Sequence, residues 1–319
     1  MSSPAPGQPS APRSAIVAAF AALYLTWGST YLGSKFAMQS FPPALLSGIR
    51  FAIAAVAMAA ILFAMRRLHL RDFANWRWWR NCGVAGILLF AVANVMVSSS
   101  VQRIPSGVAA LVVAITSVWI VAIDRAVTRA GAPNWSIMLG LACGVGGVVV
   151  LGSSGNGLGT AGLDEIGLVL VVSSTLAWAA GTMVAKHAAR PASVWAASVM
   201  QMLVGAAAAL AWSAFAERTR WPAWQDVTPQ SLWAIAYLVT FGSLVGFSAY
   251  VWLLATVNAA AVATYAYVNP LVALVLGTVL AGEEIPSRVW VAAPLILGAV
   301  ALMQFVRPPK RGEMPVEEE

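Results

Sequence analysis

Charge is what this chain has least of. Of 319 residues only 10% are Asp, Glu, Lys or Arg and 60% are hydrophobic, against about 25% charged in soluble domains. That balance excludes a water-soluble globular fold. Histidine is nearly missing, with His69 and His187 alone. There is no His–acid cluster, no buried carboxylate pair and no nucleophile–base set, so catalytic residues are not expected. Two cysteines, Cys82 and Cys143, fall in different apolar runs. They form neither a disulfide framework nor metal-ligand spacing and read as small buried apolar residues. No metal and no cofactor is expected. No cleavable signal stands out, because Met1–Pro12 is rich in Ser, Pro and Ala without a basic n-region, and the first apolar run is too long for an h-region. The net charge of +7 invites a nucleic-acid reading, but the basic residues sit in short loops between apolar runs. That pattern is membrane topology, and no nucleic-acid partner is expected.

What is present is apolar length. A membrane span needs about 20 mostly apolar residues. Ten segments qualify: Ala15–Phe36, Pro43–Ala64, Cys82–Val101, Ser106–Val127, Trp135–Leu151, Ile166–His187, Ser193–Phe215, Leu232–Ala255, Ala259–Ala281 and Val289–Val306. The fold class is therefore all-α integral membrane. With the N-terminus inside, the inner segments carry thirteen Lys and Arg and the outer loops four, namely Arg103, Arg218, Arg220 and Arg288. Both termini are expected in the cytoplasm. The loop Leu70–Arg80 interleaves Trp76, Trp78 and Trp79 with Arg71, Arg77 and Arg80, which suits anchoring at the headgroup level. Residues 1–13 and 307–319 read as disordered tails.

The chain repeats itself. Trp27 pairs with Trp178 and Lys35 with Lys186 at an offset of 151, Pro43 with Pro191 at 148, and Ala110 with Ala263, Thr116 with Asn269 and Pro133 with Pro286 at 153. The repeats are residues 14–155 and 164–306. Each holds five spans, so the second copy enters the membrane from the opposite side. This is a ten-helix, 5+5 inverted-topology repeat, the plan of many secondary transporters, with the site where the halves meet.

Several motifs then resemble a family. Trp27-Gly28-Ser29-Thr30-Tyr31, Phe41-Pro42-Pro43, Gly48-Ile49-Arg50-Phe51, Pro105 to Ala110, Ser174 to Trp178, Tyr265 to Pro270 and Gly282-Glu283 with Trp290 look like EamA-type members of the drug/metabolite transporter superfamily, over about residues 15–306. The resemblance implies an inner-membrane carrier, usually an exporter of amino acids or other small metabolites; YddG-type exporters of aromatic amino acids are one branch. It also implies that spans three, four, eight and nine line a central cavity.

The sequence supplies faces for those spans. Asn94, Ser98 and Gln102 make one stripe at i, i+4, i+8; Tyr265 and Asn269 lie at i, i+4; Ser243, Phe247 and Tyr250 share a face; the fourth span offers Thr116. Amide, hydroxyl and aromatic groups of this kind suit an amino acid or similar metabolite. Trp27 and Trp178 take a symmetric packing or gating position. Lys35, Arg50 and Glu283 form a candidate gate near the outer leaflet, with Glu283 or Glu284 pairing to Lys35 or Arg50. No acid falls at a predicted midplane, so gradient-driven exchange, or coupling through end-located groups such as Glu283, is expected rather than a buried proton relay. Pro270 removes a backbone N–H and is expected to hinge the ninth span, whereas Thr116-Ser117 in the fourth is expected to stay unbroken. Arg129-Ala130 stands where the second half has Gly282-Glu283. The Gly140, Gly144, Gly146 and Gly147 stripe serves packing within a monomer or a weak homodimer seam. The expected function is alternating-access export of amino acids. The alternatives are a passive channel-like facilitator and an exporter of a different metabolite or drug.

Overall fold

A computed structural model describes residues 12–128, 135–153, 163–257, 259–262 and 264–304. The tails expected to be disordered fall almost wholly outside these residues, as do Arg129-Ala130, Pro133 and Ala263; Arg13 already opens the first helix. Every regular element among the described residues is helical. In chain order they are α1 Arg13–Ala37, α2 Pro43–Ala64, α3 Trp76–Gly86, α4 Asn94–Val101, α5 Ser106–Val113, α6 Thr116–Thr128, α7 Trp135–Gly152, α8 Glu165–His187, α9 Val194–Ala216, α10 Pro229–Tyr237, α11 Gly246–Thr256, α12 Ala259–Val262, α13 Tyr265–Ala281 and α14 Val289–Gln304. Short 3-10 turns sit in the loops. Seven helical segments are long and apolar enough to cross a bilayer, and three shorter apolar ones accompany them.

The third span starts earlier than expected. Asn75 caps α3 by accepting from the Arg77 amide at 2.9 Å, and the helix runs from Trp76. The arginines there lower hydropathy without breaking the helix, because Arg is a good helix former. The Trp/Arg segment is thus the first turns of a span. Pro191 does not open the seventh span either: the cap is Ser193, and α9 begins at Val194, 151 residues after Pro43 opens α2. The offset of 148 is corrected to 151.

Two π-helical segments join the pieces of the third and eighth spans, Ile87–Ala93 between α3 and α4, and Leu238–Val245 between α10 and α11. They begin 151 residues apart. Packing repeats in the same way. α2 lies along its counterpart α9, and α7 along α14; α1 packs on α13 as α8 packs on α6. Glycine permits one close crossing, since a Cβ on Gly205 of α9 would sit 2.5 Å from the Gly86 carbonyl oxygen of α3. In the glycine stripe, Gly144 and Gly147 face Ala299 and Ile296 of α14, so they serve packing within the chain.

Helix ends need partners in lipid. Glu217, 8% exposed, accepts from the Ala44 and Leu45 amides at the start of α2 at 3.1–3.2 Å, and from Ser213 Oγ at 2.8 Å. Arg288, 1% exposed, donates to the Leu151 and Ser153 carbonyls at the end of α7. Each places a charge where the helix dipole favours it. Glu217→Ala should cost about 2 kcal/mol by orphaning the α2 amides, and Glu217→Gln less. Thermal unfolding of both variants in detergent checks this; a Glu217→Ala protein as stable as the parent would refute the capping role.

Candidate functional site

The spans expected to carry the polar stripes meet around one cavity of about 350 Å³. This is the lower end of the range for small-molecule sites. Asn94, Ser98, Thr116 and Asn269 line it, as do Ser243, Phe247, Tyr250 and Tyr265. Gln102 does not; it caps the end of α4 and is exposed. Part of the polarity serves the backbone. Asn94 Nδ2 donates to the Leu89 carbonyl at 2.8 Å within the π segment, and Thr116 Oγ1 to Val113 O at 2.6 Å.

The lining extends beyond the four expected spans. α1 adds Trp27 and Tyr31, α2 adds Arg50 and Phe51, α8 adds Trp178 and Thr182, and α9 adds Gln201 and Met202. These are four pairs at an offset of 151: Trp27/Trp178, Tyr31/Thr182, Arg50/Gln201 and Phe51/Met202. Thr116/Asn269 and Ser117/Pro270 add two at 153. The cavity wall is a duplicated surface, and the duplication offset was the signal that could have found the missing half.

Aromatic contacts cross between the copies. Trp27 meets Tyr265 edge-on at 5.1 Å and Tyr250 at 5.3 Å, while Trp178 meets Phe90 edge-on at 6.4 Å. Tyr24 OH bonds Thr264 Oγ1 at 2.5 Å, and Thr175, 151 residues after Tyr24, accepts from Trp119 Nε1 at 3.0 Å. Each first helix of a repeat is therefore tied to the other repeat's interrupted span.

Both of those spans are interrupted. α5 ends at Val113 and α6 starts at Thr116, with i→i−3 bonds from Ala114 and Ile115 across the join. The expected unbroken Thr116-Ser117 rod is corrected: a threonine hydroxyl returned to Val113 O supports a break without proline. In the ninth span α13 runs through Pro270, and the interruption lies upstream at Thr264, whose Oγ1 returns to Ala261 O.

Lys35 Nζ pairs with Glu283 Oε1 at 2.6 Å. The other carboxylate oxygen of Glu283 accepts from Ser106 N and Oγ, both at 2.9 Å, which caps α5. Gly282 makes this possible: at φ 62° it ends α13 and turns Glu283 back. Arg50 is not part of the pair. It is 9% exposed, its Nε donates to Ser243 Oγ at 3.0 Å, and its guanidinium lies 4.9 Å from the Phe51 ring. Of the pairings expected among these charges, Lys35 with Glu283 is the one that forms, and Arg50 stands apart from it, held by α2 at the cavity.

A second cross-repeat pair was missed. Lys186, the counterpart of Lys35, binds Asp124 Oδ1 at 2.7 Å, and His187 Nε2 lies 3.0 Å from the same oxygen. Asp124 was passed over because it sits near a span end like other acids. Ser106 and Asp124 lie at opposite ends of one span, 18 residues and about 27 Å apart by helical rise. The two lysine pairs therefore sit at opposite ends of the bundle. The Glu283 side chain is 5% exposed and Asp124 31%. Burial pushes the Glu283 carboxyl up, but the hydrogen bonds from Lys35 and Ser106 outweigh it and hold it below its ordinary value.

Comparison with known proteins follows this geometry. The EamA-like transporter family matches twice, at residues 13–153 and 165–305. The uncharacterized inner membrane transporter YedA of Escherichia coli K12 is 32% identical over 301 residues, covering 92% of this chain and 93% of that protein. The uncharacterized transporter YvbV of Bacillus subtilis is 25% identical, covering 91% of each. One solved crystal structure, 20% identical, superposes with a TM-score of 0.60 over 91% of this chain and 97% of its own, which shows a common fold.

The depressed Glu283 pKa fixes a sign. Its stabilising pair is fully present above the unfolded carboxyl value of about 4.3 and is lost as pH falls through the lower folded value. Melting temperature should therefore be insensitive to this group from neutrality to about pH 5 and fall below that. The acid-side fall should be smaller in Glu283→Gln. Equal pH profiles for the two proteins would refute the role given to this pair.

Proposed function

The chain belongs to the EamA-like transporter family, and from that premise we propose that it carries small metabolites, amino acids foremost, across the inner membrane by alternating access between two inverted five-span repeats. It is a membrane transporter and not an enzyme. The observation that carries the mechanism is the pair of duplicated lysines, each bound to an acid of the opposite repeat at opposite ends of the bundle. Two latches related by the repeat are what an alternating-access carrier needs, because releasing one while the other holds opens the cavity to one side only. The self-packing of α2 with α9 and of α7 with α14 supports a pseudo-two-fold axis between the halves.

Both termini then face the cytoplasm, with Lys35–Glu283 as the outer latch and Lys186–Asp124 as the inner. The outer latch is the better buried and the better hydrogen-bonded. Trp27 and Trp178 brace the cavity from matching positions, and the breaks at Thr264 and Ala114–Ile115 let the ninth and fourth spans bend near it. Among the described residues no Asp, Glu or His lines the cavity, which favours exchange down substrate gradients over proton-coupled pumping. The mixture of amides, hydroxyls and aromatic rings, with a volume of about 350 Å³, suits a substrate of amino-acid size.

Purified protein in liposomes should show counterflow with members of an amino-acid panel, trans-stimulated by internal substrate. Flux without trans-stimulation would mean a passive facilitator. The latches should act in opposite directions. With a cysteine introduced into the cavity as Ser98→Cys, Lys35→Ala should raise its labelling by an impermeant thiol reagent from the outer side, and Lys186→Ala from the inner side. A shift to the same side for both would overturn alternating latches.

A further inference from the structure

We infer that Arg50 is the cavity's anion site and that the substrate is held there by a carboxylate. The inference rests on the transport reading only for its route; it concerns which molecules the cavity retains. Arg50 is the one cation among the described lining residues, and no acid accompanies it. It is buried, and its single hydrogen bond among the described residues is from Nε to Ser243. Among the described residues the two terminal amino groups of the guanidinium have no acceptor. Four N–H donors in a fixed planar fork match the two oxygens of a carboxylate. Ser243 and the Phe51 ring hold the fork in place from two sides.

A purely structural role fits poorly. A guanidinium that only tied helices together would spend its terminal N–H groups on protein acceptors, as Arg288 donates from Nη1 to the Leu151 and Ser153 carbonyls. Arg50 instead borders the cavity. Its counterpart in the duplicated wall is Gln201, which lines the same cavity without charge. One repeat thus presents a cation where the other presents an amide, so the site is polarised along the substrate. A second observation concerns the substrate's other end. Asn269 Oδ1 is buried and accepts no hydrogen bond among the described residues, and Asn269 lines the cavity beside Tyr265. An acceptor without a donor calls for an N–H or O–H on the ligand. The cavity therefore selects a carboxylate with an apolar body and retains best one that also bears a donor. It disfavours amines that lack the acid.

Matched probes test this. L-phenylalanine, 3-phenylpropanoate, L-phenylalaninamide and 2-phenylethylamine form one series; L-leucine, 4-methylpentanoate, L-leucinamide and 3-methylbutylamine form a second. Thermal shift in detergent reads binding, and competition in liposome counterflow reads transport. In at least one series the carboxylates should bind about tenfold or more tightly than the matched amine and amide. Arg50→Gln should remove that preference, and Arg50→Lys should keep part of it. Asn269→Leu should weaken the amino acid more than the plain carboxylate. The inference falls if amines or amides bind as well as carboxylates, if no carboxylate of either series binds, if sodium chloride alone gives the full shift, or if Arg50→Gln retains the preference. The wild-type panel decides without any substitution, so a variant that fails to fold does not shelter the idea. Carboxylate binding without counterflow would sink the transport reading and leave Arg50 standing; counterflow of amines alone would do the reverse.

Discussion

Glu283 answers three donors drawn from two other spans: the Lys35 ammonium, the Ser106 amide and the Ser106 hydroxyl. In water each bond would be replaceable. Beside a bilayer they are not, because an uncapped helix end and a lone charge both lack a solvent to turn to. The carboxylate therefore fixes where α13 ends, where α5 begins and how α1 stands against both. Gly282 is needed because only a left-handed residue turns the chain back within one step. The same economy recurs at Glu217 on α2 and Arg288 on α7. The bundle is tied at its ends by charges serving as caps and in its middle by apolar contact.

The duplication is kept in geometry and relaxed in chemistry. The π segments, the start of α2 against α9 and the cavity-lining positions of α1, α2, α8 and α9 hold an offset of 151. At those positions Tyr24 becomes Thr175, Tyr31 becomes Thr182 and Arg50 becomes Gln201. The reason is mechanical. In the alternating-access reading, backbone shape and helix contacts must match for the two halves to exchange roles, whereas a substrate is not itself symmetric and is better gripped by unlike ends. The lysines, like Trp27 and Trp178, are of the same type in both copies, and each lysine pairs with an acid of the other repeat.

Much of this was legible in the sequence. Apolar length gave the spans, and the motifs gave the family, because both are written in local residue order. Of the nine residues read from the stripes and the resemblance, eight border the cavity and Gln102 does not. What escaped has a common physical cause. The π segments leave no mark on hydropathy, and Gln102 parts from Asn94 and Ser98 because eight residues of α-helix end about 80° around the axis and α4 stops at Val101. The span-four break carries no proline or glycine and depends on a Thr116 hydroxyl that also fits an ordinary helix. Arg50 was grouped with Glu283 by sign alone, and only packing shows that α2 and α13 hold them apart.

The two interruptions and the cavity are one feature seen from two sides. Backbone groups outside the i→i−4 pattern are tolerated at membrane depth only where side chains or a cavity satisfy them. At the α5–α6 join Thr116 returns its hydroxyl to Val113, and at the α12–α13 join Thr264 returns its hydroxyl to Ala261. Each break also borders the cavity, through Ala114 and Thr116 on one side and Tyr265 on the other. A continuous helix at either place would carry its lining residues around by a different rotation and close the space between the repeats. Pro270 reinforces this in the ninth span: it cannot donate to Ala266, so the first turn of α13 is held more loosely than the rest. The fourth span has Ser117 there and reaches the same shape through hydroxyl bonds alone. The breaks lie about one turn apart in the repeat register, since the counterpart of Thr264 at the offset of 153 is Leu111, and they are unequal in stiffness.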